Sequence, residues 1–507
     1  MINHKFSSSL RGVFTALALS PALALAAPAG LAAKTSAPRL VLPAPDLQPF
    51  LRAEKAATRP QPLRFAAPIG TVITPLSQGR WETLADGRAL WRLSVQSAGA
   101  SSLNFAFTKL ALPAGAQLYI YDSAGKRVRG PYTGKDVVQG QLWTPVVEGD
   151  EAVVEVSLPQ AARPALVLEL GKVNYGFREF WKAGDAAKSG SCNIDVACAE
   201  GDAWRNEIRS VARYTIAGAL LCTGQLVNNT ANDFKPLFLT ANHCVTLPPE
   251  AITTVYYWNY QTSSCGGAPD GNLDDTQIGA LMLAANPGTE TPGPDFTLMQ
   301  LVQAPDAAFH VFYSGWDNRD VAPVGVTGIH HPNGDEKRIS IDFDPTEIAA
   351  YLEPGGSAAS IANPTHIRVV RWDRGVTEGG SSGSGIWNNE HRLVGQLSGG
   401  YSSCDAPDDS DWYGRLNQDW FALDTPLTSV ASYLDPGGAG SGVLDGADPN
   451  GLATPPPPPS GTTPPPGGTT TPPASVTTSG GGGGALSLPA LLGLLLIRRR
   501  RAGPGPR

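Results

Sequence analysis

Between about residues 60 and 180 the chain alternates apolar and polar positions, broken every few residues by Gly, Pro, Asn or Asp. Ala89-Leu90-Trp91-Arg92-Leu93-Ser94-Val95 and Gln117-Leu118-Tyr119-Ile120-Tyr121 are examples. Period-two alternation with frequent turns predicts an all-β unit. Short strands resume between about 189 and 436, as in Ile252-Thr253-Thr254-Val255-Tyr256-Tyr257-Trp258 and Ile367-Arg368-Val369-Val370-Arg371-Trp372. That second stretch is long enough for two packed barrels, so the predicted class is all-β throughout.

The pattern breaks at both ends. Lys5 and Arg11 precede a mostly apolar run from Gly12 to Leu25, and Ala24-Leu25-Ala26 offers small residues for cleavage. Residues 1–26 therefore read as an export signal, removed by signal peptidase. Pro455 to Pro459 and the Gly/Thr/Pro runs after them predict an extended linker over 451–479. Residues 480–507 then hold Gly480 to Gly484, an apolar run of 13 residues from Ala485 to Ile497, and Arg498 to Arg501. That run falls short of the roughly 20 residues that span a bilayer, and the arginines would stay on the cytoplasmic side. The tail resembles the Gly-Gly C-terminal sorting signals of Gram-negative bacteria. Such signals are removed by an intramembrane protease.

Composition narrows the reading. A chain of 507 residues is expected to hold two or more units. Thirty-eight Lys and Arg against 45 Asp and Glu give a net charge of −7. With no long basic run in the globular part, nucleic acid is not an expected partner. Six cysteines, Cys192, Cys198, Cys222, Cys244, Cys265 and Cys404, lie in one stretch. After export an even count fits three bridges. No tight Cys-x-x-Cys pair or His-x-x-x-His set suggests zinc, so neither metal nor cofactor is expected. The stretch 27–188 has no cysteine. It reads as a β-rich propeptide that assists or blocks the domain C-terminal to it, with a substrate-binding module as the alternative.

Three strings carry candidate chemistry. Gly380-Ser381-Ser382-Gly383-Ser384-Gly385 supplies a serine on a tight turn. With Ser382 as nucleophile, the N–H groups of Gly380 and Ser382 would face a developing oxyanion. Thr240-Ala241-Asn242-His243-Cys244 supplies a histidine, and a Cys222–Cys244 bridge would pin its loop to the neighbouring strand. Asp295-Phe296-Thr297-Leu298 places an aspartate at the mouth of an apolar strand. There it could be buried against His Nδ1–H. The order His243, Asp295, Ser382 is the one found on chymotrypsin-like double barrels.

Longer strings resemble the bacterial lysyl endopeptidases, lysine-specific secreted proteases of the chymotrypsin-like superfamily, over roughly 189–450. They include Ser191-Cys192-Asn193-Ile194-Asp195, Leu221-Cys222-Thr223-Gly224, Leu226 to Asp233, Tyr257-Trp258-Asn259-Tyr260-Gln261, Ile329-His330-His331-Pro332-Asn333 and Gly375-Val376-Thr377-Glu378. The resemblance implies a catalytic domain over 189–450 acting on protein and peptide substrates. It also implies the bridges Cys192–Cys404, Cys198–Cys265 and Cys222–Cys244. The expected enzyme is a secreted monomer, either free or surface-held.

Specificity is less direct. Trypsin-like enzymes place a carboxylate six residues before the serine, where this chain has Val376. Glu378, Asp405, Asp408, Asp409 and Asp411 are the candidates by sequence, and the resemblance selects Asp411. Pocket shape would then decide between lysine and arginine. Ser398-Gly399-Gly400 would form the edge that pairs with substrate backbone. One enzyme of that family carries histidine at the position of Ser398 and tryptophan at that of Tyr351, a stacked pair near the catalytic histidine. Ser398 cannot stack, while Tyr351 can keep part of the packing. His330 and His331 read as structural. Lys182 and Lys188 are expected self-processing sites. Residue 381 is Ser, so a new N-terminus could not pair with a carboxylate there. A protease cleaving after both Lys and Arg, and an inactive protease-like binding module, remain the alternatives.

Overall fold

The computed structural model describes residues 27–32, 36–57, 60–180, 189–286, 293–356, 361–362, 364–421 and 429–451. The export signal, Lys182, Lys188, and the linker and tail beyond 451 lie outside the described residues. Among the described residues no helix is long and apolar enough to cross a membrane.

The alternating stretch forms two antiparallel-dominated sheets around one apolar core. One is centred on Arg88–Gln96 and Glu151–Pro159, the other on Ser102–Ala111 and Val167–Gly176. The polar face of Arg88–Gln96 is covered as well, which simple alternation does not predict. Arg92 and Ser94 are buried. The turn Ala29–Ala32 lies over them, with Arg92 Nη1 donating to the Gly30 carbonyl at 3.2 Å. Beneath it Glu155 accepts from the Gly30 N–H at 3.0 Å and the Tyr121 hydroxyl at 2.7 Å. A buried carboxylate is tolerable when its lone pairs are filled in this way.

This unit packs directly on the first barrel. Leu221, Tyr257 and Tyr260 of the barrel join its core. Arg213, fully buried, lies 3.7 Å from the Phe180 ring centroid and 3.8 Å from that of Tyr260. Asn104 donates to the Gly218 carbonyl at 2.9 Å, and the Tyr257 hydroxyl accepts from the Val146 N–H at 2.9 Å. Leu63–Arg64 adds a short strand antiparallel to Leu220–Val227.

The catalytic region is two curled sheets, the halves of a chymotrypsin-like double β-barrel. The first runs in the order Thr276–Ile278, Val255–Tyr257, Val211–Ile216, Leu220–Val227, Leu237–Ala241, Phe296–Leu301, Ala280–Asn286. The second is built on Arg338–Pro345, Val324–His330, Gly385–Trp387, Arg392–Gly400, Asp411–Arg415 and His366–Val369. Between them Trp316, Trp387, Leu237, Phe296 and Leu393 form an apolar seam. The histidine loop comes from one barrel and the serine turn from the other, so this seam sets their separation. The three cysteine pairs are Cys192–Cys404, Cys198–Cys265 and Cys222–Cys244, as the resemblance implied.

Candidate active site

His243 and Asp295 meet because of strand register. Leu237–Ala241 pairs with Phe296–Leu301 so that Ala241 faces Phe296. The next residues of the first strand therefore lie beside the residue preceding the second. His243 Nδ1 is 2.8 Å from Asp295 Oδ2, and the His243 backbone N–H donates to Oδ1 at 3.0 Å. Asp295 is 1% exposed and adopts φ +56°. A non-glycine residue in that region costs about 1–3 kcal/mol. The Asp295 carbonyl accepts from the Asn242 N–H at 3.1 Å, and Gln396 Nε2 holds the preceding Pro294 carbonyl at 3.0 Å. These contacts offset the strain and fix the carboxylate against the imidazole. His243 Nε2 is buried and makes no hydrogen bond among the described residues.

Ser382 sits on a knotted turn. The Ser381 N–H donates to the Glu378 carbonyl at 3.0 Å and the Ser384 N–H to the Ser381 carbonyl at 3.0 Å. Gly380 has φ +90°, a conformation open to glycine. The Thr223 N–H donates to the Ser382 carbonyl at 2.9 Å, tying the turn to the strand that carries Cys222. The Cys222–Cys244 bridge then ties that strand to the histidine loop. Among the described residues the N–H groups of Gly380 and Ser382 donate to nothing. The turn thus offers two uncommitted donors next to a hydroxyl, while the bond from Ser382 Oγ to His243 Nε2 is not made. Such bonds are often long before substrate arrives.

His330 and His331 brace this turn. His330 Nδ1 is 2.8 Å from Ser381 Oγ and Nε2 is 3.0 Å from Ser340 Oγ. His331 Nδ1 is 2.9 Å from the Asp335 carbonyl. Burial pulls His330 down to about 3 and depresses His331 well below an ordinary histidine. An unfolded histidine binds its proton near 6.5, so between that pH and about 3 the unfolded state holds more protons. Stability attributable to His330 is therefore complete at pH 7 and falls as pH drops below 6.5, by on the order of 1 kcal/mol per pH unit. Asp342, raised by burial to about 6, acts in the opposite sense. His330→Gln, compared with wild type by urea unfolding at pH 7 and pH 5, should lose less stability on acidification.

A cavity of about 450 Å³ opens beside Ser382, lined among others by Thr377, Leu397, Gly400 and Ser402. Asp411 lies immediately behind this lining and is fully buried. Its Oδ2 accepts from Ser402 Oγ at 2.6 Å, Trp372 Nε1 at 2.7 Å and Thr377 Oγ1 at 2.9 Å. Its Oδ1 has no partner among the described residues. That oxygen abuts Gly400, where any side chain would collide with it. Burial raises the Asp411 carboxyl and the three donors oppose this. Of the rival carboxylates, Glu378 also lines this cavity, with both its oxygens engaged. Asp405, Asp408 and Asp409 are exposed. Glu378 accepts from the Gly190 N–H at 3.1 Å and from Asn333 Nδ2 at 3.0 Å.

Ser398, Gly399 and Gly400 end the strand Arg392–Gly400. Gly399 and Gly400 pair on one side with Trp412 and Asp411, and Ser398 falls in the register shift between Leu397 and Gly399. On the other side the pairing with Gly385–Trp387 stops at Gln396, leaving an open edge. His366 is a residue that motif and spacing did not single out. Its ring centroid lies 5.1 Å from that of Tyr351, and its Nε2 is 3.0 Å from Ser398 Oγ. Tyr351 thus keeps an imidazole neighbour, supplied by the strand His366–Val369 and not by position 398. Burial lowers His366 to about 4, the nearby Asp295 charge partly opposing. His366 therefore stays neutral at pH 7. No motif surrounds it; only the pairing of three strands brings it to Ser398.

Cys222, His243 and Cys244 approach one another as metal ligands would, but both cysteines are spent on their disulfide. Asp342, Asp344 and Asp373 also cluster, with Asp344 and Asp373 exposed.

A double β-barrel with a His–Asp pair facing a serine turn across the seam defines a serine endopeptidase of the chymotrypsin-like class. The family model described as lysyl endopeptidase, C-terminal domain, matches residues 186–414, and that described as lysyl endopeptidase N-terminal domain matches 53–173. A protein named Lysyl endopeptidase from Pseudomonas aeruginosa is 33% identical over 404 residues, covering 74% of this chain and 83% of that protein. The chain belongs to the lysyl endopeptidase family. Similar solved structures include the thermostable serine protease AL20 from an extremophilic microorganism, at 12% identity and TM-score 0.30, covering 41% of this chain and 92% of that one. Another is the HtrA-type protease AlgW with tripeptide, at 13% identity and TM-score 0.30, covering 43% and 60%.

Proposed function

We propose that the protein hydrolyses peptide bonds on the carboxyl side of lysine, with Ser382, His243 and Asp295 as its triad. The carrying observation is Asp411, buried behind the lining of the cavity beside Ser382, with one carboxylate oxygen that has no partner among the described residues. An ammonium group entering the cavity would supply the missing partner. Substrate backbone adds to the open edge at Ser398-Gly399-Gly400. His243 Nε2 takes the Ser382 proton as Oγ attacks the carbonyl carbon. The N–H groups of Gly380 and Ser382 stabilise the oxyanion. The imidazolium, held by Asp295, then protonates the leaving amine, and water releases the acyl group by the reverse steps. Labelling of Ser382 by a fluorophosphonate, with cleavage profiling on a peptide library, tests the reading. Cleavage after Lys and Arg alike would establish the broader specificity, and an unlabelled folded protein would point to a binding module.

His366 acts here as a positioning residue for Ser398. His366→Phe keeps a ring against Tyr351 and removes the partner of Ser398 Oγ. A lost buried hydrogen bond of about 1–2 kcal/mol corresponds to a roughly five- to thirtyfold lower kcat/KM. Steady-state hydrolysis of a lysyl reporter peptide measures it, and an unchanged value would show that ring packing suffices.

Residues 1–26 act as an export signal and 27–188 as a pro-domain in this reading, ahead of the catalytic domain over 189–450. Maturation after Lys188 would leave Ser189 first. Ser189 Oγ donates to Asp335 Oδ2 at 2.6 Å and the Gly190 N–H to Glu378, so the start of the catalytic domain is already seated. The tail beyond the linker serves as a removable sorting signal, recognised by an intramembrane protease.

A further inference from the structure

The N-terminal unit does more than pack on the first barrel: its chain crosses the cleft. We propose that residues 60–64 lie there in the direction of a substrate, with the Gln61–Pro62 peptide bond opposite Ser382, and that this residue pair keeps the segment from being cut. The proposal rests on the triad and pocket assigned above.

Two anchors set the register. At one end Pro60 lies on the open edge, its Cγ 3.2 Å from where a Cβ on Gly399 would stand. At the other, Leu63 faces Leu221 in antiparallel pairing and Arg64 faces Leu220. Leu63 Cδ1 is 3.8 Å from the Cβ position of Gly379, next to Gly380. The chain therefore enters along the edge that receives the acyl side of a substrate. It leaves along the strand running into Cys222, on the side of the departing amine. Three residues span about 10 Å, and the two between the anchors pass the cavity beside Ser382. Pro60 and Pro62 fix their own φ, and Pro62 also holds Gln61 extended. The segment is thus preshaped as a strand.

Two features oppose cleavage. Gln61 lines the cavity mouth but is exposed, and its neutral amide brings no charge to Asp411. Pro62 would be the leaving residue. Its nitrogen carries ring carbons where His243 must approach to deliver a proton. The segment holds the cleft by backbone pairing at Leu63–Arg64 while withholding both the specificity contact and a usable leaving group.

The test uses the full-length precursor and its Q61K/P62A and Q61K variants, with Ser382→Ala as control. Intact mass and N-terminal sequencing read the cuts, and a fluorogenic lysyl peptide reads activity. The wild type should stay intact at residue 61. Q61K/P62A should be cut after residue 61 and should hydrolyse the reporter at least tenfold faster than the wild-type precursor. Q61K, with a Lys–Pro bond, should remain uncut there, and the Ser382→Ala form of the double variant should not be cut. A double variant that hydrolyses the reporter yet stays intact at 61 overturns the register. Cleavage of wild type or Q61K at that bond overturns the role of Pro62. Failure of every form to hydrolyse the reporter would sink the assigned site, and this proposal with it.

Discussion

Ser382→Ala should lower kcat on a lysyl peptide by about five to six orders of magnitude, with KM little changed. His243→Ala should cost about as much, and the double variant no more, because nucleophile and base act as one unit. Asp295→Asn should fall by about four orders. Its Oδ2 faces Nδ1 at 2.8 Å and its Oδ1 takes the His243 backbone N–H, so an amide there disturbs the imidazole's tautomer. Preparations matched by protein concentration and by circular dichroism make the comparison clean. Near-normal hydrolysis by folded Ser382→Ala or His243→Ala would remove the triad assignment.

Asp411→Asn should lose about a thousandfold in kcat/KM for lysyl substrates, corresponding to ~4 kcal/mol for leaving a buried ammonium unpaired. The effect belongs to substrate recognition, so fluorophosphonate labelling of Ser382 should persist. Glu378→Gln is the matched control. Its carboxylate is engaged by Gly190 and Asn333, and its replacement should leave the Lys preference intact. Retained lysine cleavage in Asp411→Asn together with its loss in Glu378→Gln would move the specificity charge to Glu378.

Much of the site was legible because its parts are local. Glycines around Ser382, a cysteine beside His243 and an apolar run after Asp295 each signal a turn, a tether or a strand mouth without reference to the rest of the chain. Asp411 was legible only through resemblance, since four other carboxylates stood equally well by position. What separates it is burial and the convergence of Trp372, Thr377 and Ser402 on one oxygen. His366 gave no signal at all. A lone histidine in a strand reads as core, and its contact with Ser398 spans 32 residues.

The all-β class, the order of the three triad candidates and the even set of cysteines could all be read along the chain, because periodicity, turn chemistry and chain order are one-dimensional properties. Three things could not. They are which carboxylate stands behind the cavity, which imidazole packs on Tyr351 and which part of the N-terminal unit enters the cleft. Each of these depends on strand register between segments far apart in the chain. Register is fixed by the burial of whole faces at once, and no single residue carries that information.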